Sequence, residues 1–154
     1  MMNRFPLPLR VDLSILGSHA RLQGGFIYQD PQRGAIQVPM GFETDFASVK
    51  PIRTIAWGLL AMSLVIGWFW PEAGAAVGSM GYGALALYAS VVGYGDAAAT
   101  IHDWLYSVSG AGRLDRKAAD QVFRNALCSS GVARWRAWLM WAGVRLGGHW
   151  RYGR

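Results

Sequence analysis

Apolar and polar positions alternate near the start of the chain. In "LPLRVDLS" the residues Leu7, Leu9, Val11 and Leu13 stand at every second place, the period of a half-buried strand. "ARLQGGFIYQDPQRGAIQVP" reads as two further strands around a reversal made by Asp30, Pro31 and Gly34. A small antiparallel sheet is therefore expected before about residue 40. "VPMGFETDFAS", Val38 to Ser48, follows as a loop closing the sheet. Gly41 permits tight backbone geometry there, and Thr44, Asp45 and Ser48 offer side-chain oxygens.

The alternation then stops. Thr54 to Trp70 carries no charge, and after Pro71 and Glu72 a second uncharged run extends to Gly95. Each is close to the roughly 20 residues that cross a hydrocarbon core as helix, so a spanning or re-entrant hairpin is expected. Lys50 and Arg53 precede the first run, and Trp57, Trp68 and Trp70 lie near its ends as interfacial anchors would. The second run is rich in glycine and alanine, which equally suits close packing inside an oligomer.

Beyond Gly95 the pattern turns helical. Asp96 is a suitable cap for a helix running to about Ser109, with Gly110 and Gly112 ending it. Asp115 caps a second to about Ser130, stopped by Gly131, and "ARWRAWLMWAGVRL" makes a third. The expected fold is α+β: a small N-terminal antiparallel sheet, an apolar helical hairpin inserted over 54–94, then a C-terminal helical hairpin and a basic, Trp-rich helix. Residues 1–53 and 95–154 would form one domain around the insertion.

Composition adds to this picture. Apolar residues make up 53% and charged residues 16%, against roughly 25% charged in ordinary soluble domains, so more is buried than a normal core requires. The formal charge is +6. From Ser129 onward Arg134, Arg136, Arg145, Arg151 and Arg154 are interleaved with Trp135, Trp138, Trp141 and Trp150, and no acid occurs. That mixture suits a membrane interface or an anionic partner, nucleic acid included. The single Cys128 excludes an internal disulfide and any cysteine-built metal site. Asp12 and two early prolines interrupt what a signal peptide would need as an apolar stretch, so export by that route is not expected.

The residues that carry chemistry lie in "TIHDWLYSVSGAGRLDRKAADQVF". His102 and Tyr106, four apart, share a helix face, while Asp103 points about 100° away. A short turn makes the next helix an antiparallel neighbour, so Asp120 can face His102, orient one imidazole nitrogen and leave the other to take a proton from water. Asp103 would then be free to bind a cation. The loop with Gly41, Thr44 and Asp45 would add the hard oxygen ligands that calcium takes. His102 and Asp120 are the candidate catalytic pair; Asp103 and Asp45 are the candidate metal ligands. The same groups also suit a purely structural network joining two helices and a loop. His19 and His149 read as surface residues, and Tyr106 and Phe123 as core.

His102, Asp103, Tyr106 and Asp120 resemble the His-Asp-x-x-Tyr helix and partner aspartate of the secretory phospholipase A2 enzymes, especially the short bacterial ones, with Arg116 and Phe123 in a similar pattern. The resemblance implies a histidine general base, an adjacent aspartate holding calcium and a second aspartate steadying the histidine. The family's glycine-rich calcium loop and flanking cysteines are not visible here. A broader similarity rests on "IQVPMGFETDFASV", "HDWLY", "RKAADQVF" and "WAGVRLGGHW". These resemble an uncharacterised family of tailed bacteriophages and prophages, marked by Val-Pro-x-Gly-Phe-x-Thr-Asp-x-Ala-Ser and His-Asp-x-Leu-Tyr followed by Ala-Asp. Here "KPIR" stands where that family has Pro-Arg, and the apolar runs separate motif blocks that lie closer together in the family.

This second resemblance implies a phage setting. The expectation is a virion or genome-delivery component (tail, connector or ejection) that assembles with other phage structural proteins and contacts the host envelope, its membrane included, or other virion subunits through its apolar helices. Two rivals stand beside it: a phage-encoded, calcium-dependent phospholipase-A2-like or cell-envelope hydrolase, and an inner-membrane protein made during infection.

Overall fold

The computed structural model describes residues 4–13, 19–46, 50–148 and 151–153. Ser48, His149, Trp150 and Arg154, named above, lie outside them. The chain divides into two compact units, one made of Met1–Ser48 with Tyr94–Arg154 and the other of Val49–Gly93. The α+β class expected from the pattern is the class observed.

In the first unit, β1 (Val11–Leu13), β2 (Ala20–Leu22) and β5 (Glu43–Thr44) form an antiparallel sheet in the order β1-β2-β5. Separately, β3 (Phe26–Asp30) and β4 (Gly34–Val38) form a hairpin with Tyr28 opposite Ile36. Asp30 Oδ1 accepts the backbone N–H groups of Gln32 (2.9 Å) and Arg33 (3.0 Å), and Gly34 takes φ +77° to close the reversal. Phe26, Tyr28, Ile36 and Val38 form its buried face.

Three strand expectations are corrected. The alternation from Leu7 yields a strand only over Val11–Leu13, whose side chains stay largely exposed. Residues 20–39 hold three strands rather than two, because the pair Gly24–Gly25 separates β2 from β3 and lets each find a different sheet. The closing loop itself contains β5, which pairs with β2.

The helices of this unit are α3 (Asp96–Tyr106), α4 (Val108–Ala111), α5 (Arg116–Ser129) and α6 (Arg134–Gly147). Asp96 is not the cap: Gly95, at φ +81°, occupies that position and Asp96 sits in the first turn. A side chain at Gly95 would also collide with Leu127. The helix stops at Tyr106 rather than Ser109, because extended Ser107 turns the chain and its hydroxyl caps the Trp104 carbonyl at 2.7 Å. Asp115 does cap α5, accepting the Ala118 N–H at 2.6 Å, and Gly131 at φ +79° follows its end. Ile101 and Leu105 of α3 and Val122, Phe123 and Leu127 of α5 are fully buried. Each such side chain contributes about 1.5–3 kcal/mol by leaving water.

The second unit is a pair of helices, α1 (Lys50–Phe69) and α2 (Pro71–Val91). Pro71 sets the break: it cannot donate to a preceding turn and it biases Trp70 away from helical geometry, where φ is −139° and ψ 87°. Gly74, Gly78 and Gly81 line the buried face of α2. A Cβ at Gly74 would overlap the backbone of Gly67, and one at Gly81 would stand 2.8 Å from Leu60. The outer faces expose Trp57, Met62, Leu64, Val65, Trp68 and Phe69 of α1, and Met80, Tyr82 and Leu87 of α2.

Candidate functional site

The site is built around one carboxylate. Asp120, on the inward face of α5, is completely buried. His102 Nε2 on α3 lies 3.1 Å from its Oδ1, and the Tyr106 hydroxyl, one turn along the same helix, donates to that oxygen at 2.5 Å. Arg145, in the last turn of α6, donates Nη1–H to Oδ2 at 2.8 Å. Both carboxylate oxygens are thus engaged, and three helices meet at one side chain. The His102 ring lies against Tyr106 (4.1 Å between centroids) and Phe123 (4.8 Å).

Electrostatics follow from these contacts. Burial alone would raise the Asp120 carboxyl, but the hydrogen bonds from His102, Tyr106 and Arg145 outweigh it and hold the group below the ordinary aspartate range. An ionised carboxylate only accepts, so His102 Nε2 carries the proton it shares with Asp120. Burial pushes the Tyr106 hydroxyl up, and its bond to Asp120 pushes it further, so it stays protonated as a donor.

The neighbouring Asp103 behaves differently. It is partly buried, and the loss of water raises its carboxyl above the usual value despite the hydroxyl of Thr44, which donates to Oδ2 at 2.5 Å. Asp45, next to Thr44, turns to Arg151, whose Nη2 lies 3.2 Å away. The loop therefore reaches the His-Asp end of α3 as expected, with Thr44 making the contact and Asp45 paired elsewhere.

Calcium is the expected cation, with Asp103 and Asp45 as its expected ligands, and both carboxylates have partners within the chain. One Asp103 oxygen is taken by a hydroxyl, and the oxygens of Asp45 face a guanidinium that would repel a divalent ion. Among the described residues no three His, Cys, Asp or Glu side chains are grouped to hold a metal.

Sequence reasoning read Arg145 only as one of the basic C-terminal arginines and missed its ion pair with Asp120. Its one signal was its place inside "WAGVRLGGHW", a stretch singled out for other reasons. Arg116 was noted only as part of a pattern; its Nη1 donates to the Arg145 carbonyl at 3.2 Å and ties the end of α6 to the start of α5. The C-terminal turn closes over Tyr106: Gly153 N donates to its carbonyl at 2.8 Å, the Tyr152 ring meets it edge to face, and Tyr152 Oη donates to the Leu114 carbonyl.

No curated protein and no solved structure matches the chain. A family model described as a protein of unknown function (DUF1353) matches residues 83–144, which takes in His102, Asp103, Tyr106 and Asp120 and stops one residue short of Arg145. Over that stretch, therefore, the chain carries a DUF1353 domain of unknown function.

Proposed function

We propose that this chain is a membrane-entering bacteriophage protein, a component of the virion or of genome delivery whose apolar hairpin enters the host membrane. The observation that supports this is the exposed face of α1. A core helix of a soluble protein buries its apolar residues; here Leu64 and Trp68 are 78% and 86% exposed. The helix has 20 residues, about 30 Å at 1.5 Å per residue, the thickness of a hydrocarbon core. Its Ile52–Phe69 segment is long and apolar enough to cross a bilayer.

The small residues of α2 favour the same reading, because helix pairs in lipid are held by close packing rather than by escape from water. Lys50 and Arg53 stand at the entry to the hairpin and Glu72 alone at its tip, so the bias of basic residues favours a cytoplasmic location for both ends. The phage setting rests on the motif resemblance. Mixed with vesicles of phosphatidylethanolamine and phosphatidylglycerol, the full chain is expected to float with lipid and to resist alkaline carbonate. Protein left at the bottom of the gradient overturns the reading. Purified particles containing the chain would distinguish a virion component from an inner-membrane protein made only during infection.

A second reading, hydrolysis of phospholipid-like esters, is favoured by one specific feature: Asp120 engages His102 Nε2 and leaves Nδ1 as the ring nitrogen for a water, with Asp103 adjacent in sequence. Fatty-acid release from vesicles with calcium present, lost in His102→Gln and in Asp103→Asn, would support it. Vesicles that stay intact with the wild-type chain would leave the cluster as a three-helix clamp.

A further inference from the structure

We infer that α6 lies along an anionic membrane surface, with Trp135, Trp138 and Leu146 in the headgroup layer. The inference rests on insertion of the hairpin and adds to it a second, shallower contact. α6 has two apolar sides. At about 100° per residue, Ala137, Met140 and Val144 share one side, and these are the residues it buries. Trp135, Trp138, Ala142 and Leu146, spaced by three, four and four, share the side opposite. That side stays open: Trp135 and Trp138 are each 53% exposed and Leu146 83%. An ordinary surface helix gives its outer side to charged and polar residues.

Charge says what covers the stripe. Arg134 and Arg136 lie about 100° to either side of Trp135, and neither is paired with a carboxylate among the described residues. From Ser129 onward the chain has no acid. Tryptophan and leucine edged by arginine fit a bilayer interface that carries anionic lipid, where indoles rest at headgroup depth and guanidiniums meet phosphates. Single-stranded nucleic acid would use the indoles as platforms for its bases. Leu146, the most exposed residue of the stripe, has no face on which a base stacks.

The path of the chain brings α6 to that depth. α2 ends at Val91, and Tyr94 follows three residues later, within about 11 Å even when fully extended. The Arg136 guanidinium packs on the Tyr94 ring at 4.1 Å and on the Trp135 ring at 5.0 Å. Its Nε is buried without an acceptor, so aromatic faces hold this cation. The first turn of α6 is therefore fastened to the residue at which the chain emerges from the hairpin. Two indoles and a leucine are too little to anchor the chain by themselves, since stable attachment takes more than one signal.

The test uses the full chain with the exposed Cys128→Ser and one spin label per sample, at Leu146→Cys on α6 or at Leu64→Cys on α1. Each is reconstituted in vesicles of phosphatidylethanolamine and phosphatidylglycerol. Oxygen collects in lipid and a nickel chelate stays in water, so power saturation reads the depth of each label. The Leu146→Cys label is expected at headgroup depth and the Leu64→Cys label in the hydrocarbon interior. Replacing phosphatidylglycerol with phosphatidylcholine is expected to return the first to water and leave the second in place. A Leu146→Cys label in water beside a Leu64→Cys label in lipid overturns this inference and spares the hairpin reading; both labels in water overturn both. Equal depth of the Leu146→Cys label in the two lipid mixtures overturns it as well. So does a Leu146→Cys label slowed by a single-stranded oligonucleotide and not by vesicles, which would assign the face to nucleic acid.

Discussion

Asp120 shows how one side chain can organise a protein. A buried carboxylate is costly by itself, and it is tolerated here because His102, Tyr106 and Arg145 satisfy it from two other helices. His102→Gln disturbs one of those bonds and should cost about 1–3 kcal/mol. Asp120→Asn leaves the Arg145 guanidinium without its counter-charge and should cost about 3 kcal/mol, the low end for a broken buried pair since Arg145 keeps some contact with solvent. Urea unfolding of the three proteins measures both.

Asp120 and Asp103 also predict opposite pH responses. The folded Asp120 carboxyl is depressed, so its contribution is complete above the unfolded aspartate value, about 3.9, and is lost as pH falls through the lower folded value. The folded Asp103 carboxyl is raised, so the fold binds its proton more readily than the unfolded chain does. Stability therefore declines as pH rises from about 3.9 through that raised value. Asparagine at 103 keeps an acceptor for Thr44 and removes the buried charge. Asp103→Asn is thus expected to raise the melting temperature at neutral pH and to flatten the profile above pH 4. A melting temperature that falls at pH 7 would show that the charge itself is needed there, as it would be for a cation.

The helical hairpin of Lys50–Phe69 and Pro71–Val91 is held by absent side chains. Gly74 faces the backbone of Gly67 and the Ser63 carbonyl, the latter 2.8 Å from where a Cβ would stand, whereas Gly83 has nothing within 4 Å. Gly74→Ala should force the two helices apart and lower the melting temperature of the detergent-solubilised chain. Gly83→Ala should raise stability by about 0.5–1 kcal/mol through helix propensity alone. Equal effects at the two positions would mean that the helices do not pack through this stripe. The same contrast between local and distant demands explains the ends of α3. Asp96 carries the usual sequence signal of a cap, but the left-handed Gly95 fits against Leu127, and that contact decides the position.

Within the molecule each unit has its own basis for stability. The unit of Met1–Ser48 and Tyr94–Arg154 buries Phe26, Tyr28, Val38, Ile101, Val122 and Phe123, a set of core residues of its own. Replacing residues 54–94 with a Gly/Ser bridge should therefore leave a folded, soluble domain that unfolds cooperatively by circular dichroism. The same protein should no longer float with vesicles. A shortened chain that fails to fold would assign the hairpin to the core, and one that still floats would move lipid contact to the Trp-rich α6, where Trp135 and Trp138 are exposed.

Much of this was legible along the chain because it depends on neighbours. The period of two in residues 26–38, the uncharged runs, the Asp115 cap and the spacing that sets His102 beside Tyr106 are all properties of short segments, where backbone geometry dictates which side chains share a face. The expected short turn between α3 and α5 is a longer connection that contains α4, yet it still brings Asp120 to His102. The rest was decided by contacts between segments far apart in the chain. Arg145 reaches Asp120 across 25 residues and Thr44 reaches Asp103 across 59, and no periodicity distinguishes Arg145 from Arg134 or Thr44 from Asp45. Which oxygen a hydroxyl meets, and which arginine a buried carboxylate receives, is settled only when helices and strands pack, because desolvation makes one pairing cheap and its neighbour expensive.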